Sequence, residues 1–221
     1  MDNISAFNAK EYNNKIQKTI PYYEDMYKQI ADIVTTCEYK NIVWLDVGCG
    51  TGKMAEIAMQ NTDVKRMVLC DISAKMLDVA GKNYTSDRLE FRQQNILDMC
   101  YNKQFDVVTA VQVNHYFRLP QRKQAVKNCF SALKDNGIFI TFENFAPNSK
   151  NGTQLFINRW YCWQIRQGKG REECKQHIER YNKDYFPITI NEHLQLIREC
   201  GFKSAEIFWL SYMQVGILAI K

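Results

Sequence analysis

The sequence predicts an α/β chain: a doubly wound, mostly parallel seven-stranded sheet that ends in an antiparallel hairpin. Helices precede the sheet and a helical insert interrupts it late. Three observations carry that expectation. Short apolar runs alternate with amphipathic stretches from Ile42 to Phe142, the pattern of strand–helix–strand units. The first run opens into glycines at alternate positions, as at a strand-to-helix turn. The last two runs are joined by a connection short enough for a hairpin.

Taken in order, residues 9–39 read as two helices broken at Ile20-Pro21. Ile42 to Leu45 is a buried strand and Asp46 stands where it leaves the sheet. Lys53 to Gln60 is the helix that follows. Met67 to Cys70 is a second strand, ending in Asp71, and Ser73 caps a helix that runs to Lys82. Leu89 to Gln94 is a third strand and the β-branched Phe105 to Val111 a fourth. An amphipathic helix over Gln121 to Leu133 ends at the turn Asp135-Asn136-Gly137, which feeds a fifth strand, Ile138 to Phe142. Asn191 to Cys200 is a helix closed by Gly201, and Ala205–Leu210 and Val215–Ile220 form the hairpin. The whole is one domain, with residues 1–40 and 146–190 outside the core pattern of 41–145 and 191–221.

At 221 residues and 46% hydrophobic content, the chain buries a substantial core. No apolar run approaches the roughly 20 residues that span a bilayer, and the N-terminus lacks an apolar signal core. The eight cysteines form no CxxC pair and read as reduced thiols, so a cytoplasmic location is expected. With only three histidines, no metal centre is expected. The net charge of +5 is compatible with a nucleic-acid partner without requiring one. Much of the excess lies in Arg166 to Lys183, where a solvated helix face is the simpler reading than an RNA patch.

The run from Ile42 to Gly52, IVWLDVGCGTG, is the most informative stretch. Gly48, Gly50 and Gly52 permit a tight turn and close approach to a ligand, with Cys49 between them, at a helix N-terminus. The third glycine comes one residue too early for a dinucleotide fingerprint, and Met54 after Lys53 rules out a Walker phosphate loop. Asp71 follows Gly48 by 23 residues, near the spacing of a ribose-binding carboxylate. These residues resemble motif I of the class I S-adenosylmethionine-dependent methyltransferases of type 11/12, whose fold is Rossmann-like. The resemblance implies that the loop wraps the methionine part of S-adenosylmethionine, with Asp46 near its ammonium group. Asp71 would hold the ribose beside Ile72, Asn95 and Ile96 would meet the adenine, and Met76 would pack on it. The product would be S-adenosylhomocysteine (SAH).

The fourth strand exits through Gln112-Val113-Asn114-His115-Tyr116, which in relatives lies beside the sulfonium and the acceptor. Gln112 is the expected cofactor contact, Tyr116 faces the acceptor, and His115 is the candidate general base. Glu143, at the end of the fifth strand, is a second candidate base or an anchor for an acceptor cation. The insert at 146–190 is placed to cap the site, and Trp160, Tyr161 and Trp163 supply aromatic surface for a lid, acceptor contacts or a homodimer.

Both ends of the chain, IQKTIPYY at Ile16 to Tyr23 and the C-terminus from Gly201, are similar to the bacterial carboxy-S-adenosylmethionine synthases of tRNA wobble modification. That likeness implies a cofactor contact from Tyr23, and a carboxylate-binding role for Arg180 after a gap of about two residues. The glycine loop departs from it, because the synthases carry Ser-Leu-Gly where this chain has Gly50-Thr51-Gly52. The expected function is methyl transfer from plain S-adenosylmethionine to a small-molecule acceptor. Carboxy-S-adenosylmethionine synthesis or tRNA modification, and cofactor binding without catalysis, stand as alternatives. A nucleic-acid acceptor is disfavoured by the absence of an appended RNA-binding domain and of an Asn-Pro-Pro-Tyr-type motif at Gln112 to His115.

Overall fold

The apolar runs become strands in a computed structural model of the protein, which describes residues 7–221. These are β1 Ile42–Val47, β2 Val64–Asp71, β3 Leu89–Gln93, β4 Phe105–Val111, β5 Leu133–Asn144, β6 Ser204–Ser211 and β7 Gln214–Ile220. They make one sheet in the order β3-β2-β1-β4-β5-β7-β6. β1 to β5 pair in parallel, while β7 runs against both β5 and β6. Six strands therefore share one direction and β7 alone opposes them, the mixed sheet that the alternating pattern and the closing hairpin predict.

Strand alternation sorts the core into two faces. Trp44, Met67, Val107 and Ile140 point to one side, under α2 (Tyr23–Thr36) and α3 (Lys53–Asn61). Leu45, Val68, Val108 and Phe139 point to the other, under α5 (Leu119–Ala132) and α8 (Ile190–Glu199). α4 (Ala74–Asn83) starts at Ser73, whose hydroxyl accepts the Met76 N–H as the N-cap reading requires. α8 begins at Thr189 in a reciprocal cap with Glu192, and Gly201 beyond its end sits at φ +109°.

One boundary moves substantially. The turn at Asp135 to Gly137 exists, with Asn136 at φ +61°, yet pairing with β4 already begins at Leu133 opposite Phe105. The turn residues are absorbed as an irregularity of β5, because the ladder resumes immediately at Ile138 opposite Val107.

The material outside the core pattern folds on itself. The N-terminal pieces are a short helix α1 (Tyr12–Ile16) and α2, and the insert contributes α6 (Lys150–Arg166) and α7 (Arg171–Glu179). The Trp160 indole N–H donates to the Thr19 carbonyl at 2.6 Å. Buried Lys169 donates to the Thr19 hydroxyl at 2.9 Å and to Gln164 at 2.7 Å. Two donors, Trp160 and Lys169, thus satisfy both oxygens of Thr19 just before Pro21, tying two segments far apart in sequence. No helix among the described residues is long and apolar enough to cross a membrane.

Candidate active site

The glycine loop is held from beneath and open above. The Trp44 indole N–H donates to the Thr109 hydroxyl at 2.9 Å, and that hydroxyl donates to the Asp46 carboxylate at 2.6 Å. Burial lifts the Asp46 carboxyl to about 7 against the pull of Thr109, and the nearby Asp71 charge adds to the rise. All three loop glycines occupy the left-handed region, at φ +65°, +54° and +85°, but they do different work. A Cβ on Gly48 would lie 2.5 Å from Val113, and one on Gly52 would lie 2.9 Å from Tyr84. A Cβ on Gly50 would meet no atom of the described residues within 4 Å, so this glycine is the one that leaves space for a ligand.

Asp71 joins loop to strand. Its Oδ2 accepts the Gly50 N–H at 2.8 Å and its Oδ1 the Ser73 N–H at 2.8 Å. Burial raises its carboxyl, and the backbone donors of Ser73, Gly50 and Ile72 oppose the rise. The loop and Asp71 border a cleft of about 800 Å³ at the carboxyl ends of the parallel strands. Ile72, Met76, Asn95, Ile96, Gln112 and Tyr116 also line it, so that, counting Gly48, Gly50 and Asp71, nine of the residues that the sequence nominates meet here. The side-chain oxygen of Asn95 caps the 3-10 turn Ile96–Asp98 by accepting the Leu97 N–H at 3.0 Å, leaving its second lone pair for the cleft.

Gln112 lies at φ +61°, a left-handed conformation that a non-glycine residue rarely keeps. Its amide donates to Gln214 Oε1 at 2.6 Å, and Gln214 in turn donates to Asn144. Past it, the 3-10 turn Asn114–Tyr116 is organised by Glu143, which is fully buried. Glu143 Oε1 accepts from the Asn114 N–H at 3.0 Å, the Asn114 amide at 3.0 Å and the Thr141 hydroxyl at 2.7 Å. Its Oε2 accepts from the His115 N–H at 2.9 Å and meets His115 Nδ1 at 2.8 Å. Burial alone would raise the Glu143 carboxyl, but His115, His193 and the Thr141 hydroxyl hold it down at about 2. An ionised carboxylate can only accept, so Nδ1 of His115 carries a proton and Nε2 is the ring nitrogen left outside this network.

Behind this turn, His115 lines a smaller chamber of about 390 Å³. Tyr12, Gln112 and Tyr116 belong to the walls of both spaces, so the two adjoin. Phe7, Trp160, His177 and Tyr185 complete much of the chamber wall. Trp160 is therefore at the chamber, as a wall whose N–H is already spent on Thr19.

Other nominated residues fall outside both walls. Asp46 and Cys49 are buried beneath the loop. Gly52 packs on α4 through Ala80 and Tyr84. Tyr23 is in the core, its hydroxyl 3.2 Å from that of Tyr27. Trp163 stacks edge-on against Tyr212. Arg180 pairs with Asp184 at 2.8 Å and hydrogen-bonds the Tyr116 hydroxyl, touching the wall from behind. Glu143 has no oxygen facing the cleft or the chamber lining, so its influence passes through His115 and Asn114.

The sequence reading omits Tyr12, Gln94, Val111, Val113 and Phe117 from the cleft. Val113 and Phe117 flank nominated residues and were within reach by adjacency. Tyr12 was not, because α1 is brought over the loop by one tertiary bond, from the Thr51 hydroxyl to Asn13 Oδ1 at 2.6 Å.

Residues 45–141 match the model of a family described as methyltransferase domain. The chain is similar over 209 residues, at 25% identity, to the carboxy-S-adenosyl-L-methionine synthase of Campylobacter lari, covering 92% of this chain and 88% of the relative. It is 26% identical to carboxy-S-adenosyl-L-methionine synthase 1 of Yersinia pseudotuberculosis, over 93% and 91% of the two chains. Among solved structures it resembles magnesium protoporphyrin IX methyltransferase of Synechocystis with bound SAH, at a TM-score of 0.62 and 14% identity, over 90% and 83% of the chains. At that identity the likeness speaks for the fold.

Proposed function

We propose, from the match of residues 45–141 to a methyltransferase-domain model, that the chain moves a methyl group from S-adenosylmethionine to a small molecule held in the chamber. The observation that carries this reading is the shared wall of Tyr12, Gln112 and Tyr116, which sets a second, smaller space beside the cleft. The residues present fit the cofactor. Gly50 leaves the loop open, Asp71 offers a carboxylate for the ribose hydroxyls, and Met76 and Ile96 offer apolar surface to a base beside Asn95. Asp46 lies beneath the loop rather than in the cleft wall, and above about pH 7 its carboxylate would carry the charge that suits the ammonium group.

When bound, S-adenosylmethionine supplies a methyl on a positively charged sulfur, which needs little chemical help to react. The protein's part is orientation and exclusion of water between the cleft and the chamber. Where the acceptor must lose a proton, His115 Nε2 takes it, with Glu143 fixing the tautomer and bearing the charge that forms. Glu143 is a positioning residue in this scheme.

The names of the relatives support a second reading, a carboxylated cofactor, and Arg180 at the Tyr116 hydroxyl would be the group to meet the extra carboxylate. Mass spectrometry of the denatured extract of purified protein separates the two. S-adenosylmethionine or SAH is expected. A carboxylated cofactor would overturn the first reading, and Arg180→Ala should then lose that ligand while keeping plain S-adenosylmethionine.

A further inference from the structure

We propose that the chamber takes an uncharged, flat hydroxyarene, with its reacting hydroxyl at His115 and a second polar group at His177. This rests on the reading of the adjoining cleft as a S-adenosylmethionine site. Four observations select that class of acceptor.

The first is charge. None of the described residues lining the chamber is Asp, Glu, Lys or Arg. An ion moved into such a space from water finds no counter-charge in its walls, so a neutral ligand is favoured. The second is shape. The walls are rich in rings, Phe7, Trp160 and Tyr185 among them. The chamber is the tighter of the two spaces, so it has room for a single small ring at most and not for a polymer.

The third is what remains unpaired. Gln112 and Asn144 also line the chamber, but Gln214 already bridges them. His177 differs: both of its ring nitrogens are buried and neither has a partner among the described residues. A buried imidazole without hydrogen bonds has lost its water without recompense, and a ligand can restore the missing partners. Burial, with help from the Lys169, Arg180 and His115 charges, lowers His177 to about 3, so it meets a ligand as a neutral ring with one donor and one acceptor.

The fourth is the nature of the base. His115 Nδ1 is committed to Glu143, so in the neutral ring Nε2 is the nitrogen that would accept from a donor. A phenolic hydroxyl ionises near 10, close enough to an imidazole for proton transfer as the new bond forms, whereas an aliphatic alcohol ionises far higher. In the balanced step the hydroxyl proton passes to His115 Nε2 and the oxygen bonds to the methyl carbon. The electron pair of the breaking C–S bond stays on sulfur, giving a methyl ether, SAH and a proton that leaves through His115.

The test is calorimetric titration of the full chain. SAH is titrated first, then catechol, benzoate and cyclohexanol into the SAH-loaded protein. Catechol should bind saturably, with benzoate and cyclohexanol at least tenfold weaker. His177→Phe should weaken catechol at least tenfold and leave SAH within twofold. His177→Asn, which keeps a donor and an acceptor, should stay within threefold of wild type for catechol and guards against a folding failure of the Phe variant. Loss of SAH binding in the wild type would sink the reading of the cleft. Intact SAH binding with no catechol binding, with benzoate preferred, or with catechol indifferent to His177→Phe would overturn this proposal alone.

Discussion

The cleft and the chamber share three wall residues but are built on different principles. The cleft is made of consecutive pieces of chain at the ends of parallel strands: the glycine loop, Asp71 to Met76, Gln94 to Ile96, and Val111 to Phe117. Much of its chemistry is backbone geometry, which a glycine or an acid at a fixed spacing announces. The chamber is made of side chains from opposite ends of the chain, Phe7, Ile16 and Ile20 against Trp160, His177 and Tyr185. Its chemistry depends on which rings the tertiary fold brings together. The first region can be conserved in form while the second changes, which is how one fold serves many acceptors.

Changes that touch only one region should separate the two functions. The largest effect is expected on the chamber side. His115→Gln should lower turnover of a hydroxyl acceptor by about 10²–10⁴-fold and leave SAH affinity within twofold, as read by steady-state kinetics and calorimetry. Equal turnover in the variant would remove the base from the scheme.

On the cleft side, Asp46 holds its proton in the fold up to about 7, whereas an ordinary Asp releases it near 3.8. A raised folded value means that stability declines as pH rises from 3.8 to 7. Asp46→Asn should therefore stabilise the free protein at pH 8 by about 2–4 kcal/mol, and by less at pH 5, in denaturant titrations. A gain that is the same at both values would place the carboxyl in an ordinary state.

A smaller effect follows on the acid side. His177 and His193 are lowered by burial to about 3 and about 4, below the ordinary 6.5. A lowered folded value for histidine means that the unfolded chain takes up protons first, so stability is lost as pH falls from 6.5. Asp46 works against them over part of this range with one proton, leaving a net slope of about 1.4 kcal/mol per pH unit between 6 and 5. Asp46→Asn should steepen that slope to about 2.7 kcal/mol per unit. Glu143, held at about 2 against an ordinary 4.5, adds a further loss only below pH 4.5.

The contrast between the regions also explains what could be read ahead. Strand periods and the closing hairpin predicted the sheet, because each strand's faces are decided by its own residues and its neighbours in sequence. Gly48, Gly50, Asp71, Asn95 and Gln112 were legible for the same reason: each sits at a strand exit. The division of labour among the glycines was not legible, since it depends on Val113 and Tyr84 standing where a Cβ would go. Glu143 looked like a base from its place at a strand end, yet five hydrogen bonds bury it behind His115. Tyr12 and His177 carried no local signal. One is positioned through Asn13 and Thr51, and the other lies beside Trp160 on a helix whose sequence reads as a solvated face.

The central claim is that the cleft at the glycine loop binds S-adenosylmethionine through Asp71. Equilibrium dialysis with labelled S-adenosylmethionine tests it on the wild type and Asp71→Ala, with circular dichroism to confirm folding. Saturable binding in the wild type and about a 100-fold weaker Kd in the folded variant are predicted, the effect of losing about 2–3 kcal/mol of charged hydrogen bonding. Equal affinity in the two proteins, or no binding to the wild type, would contradict the account.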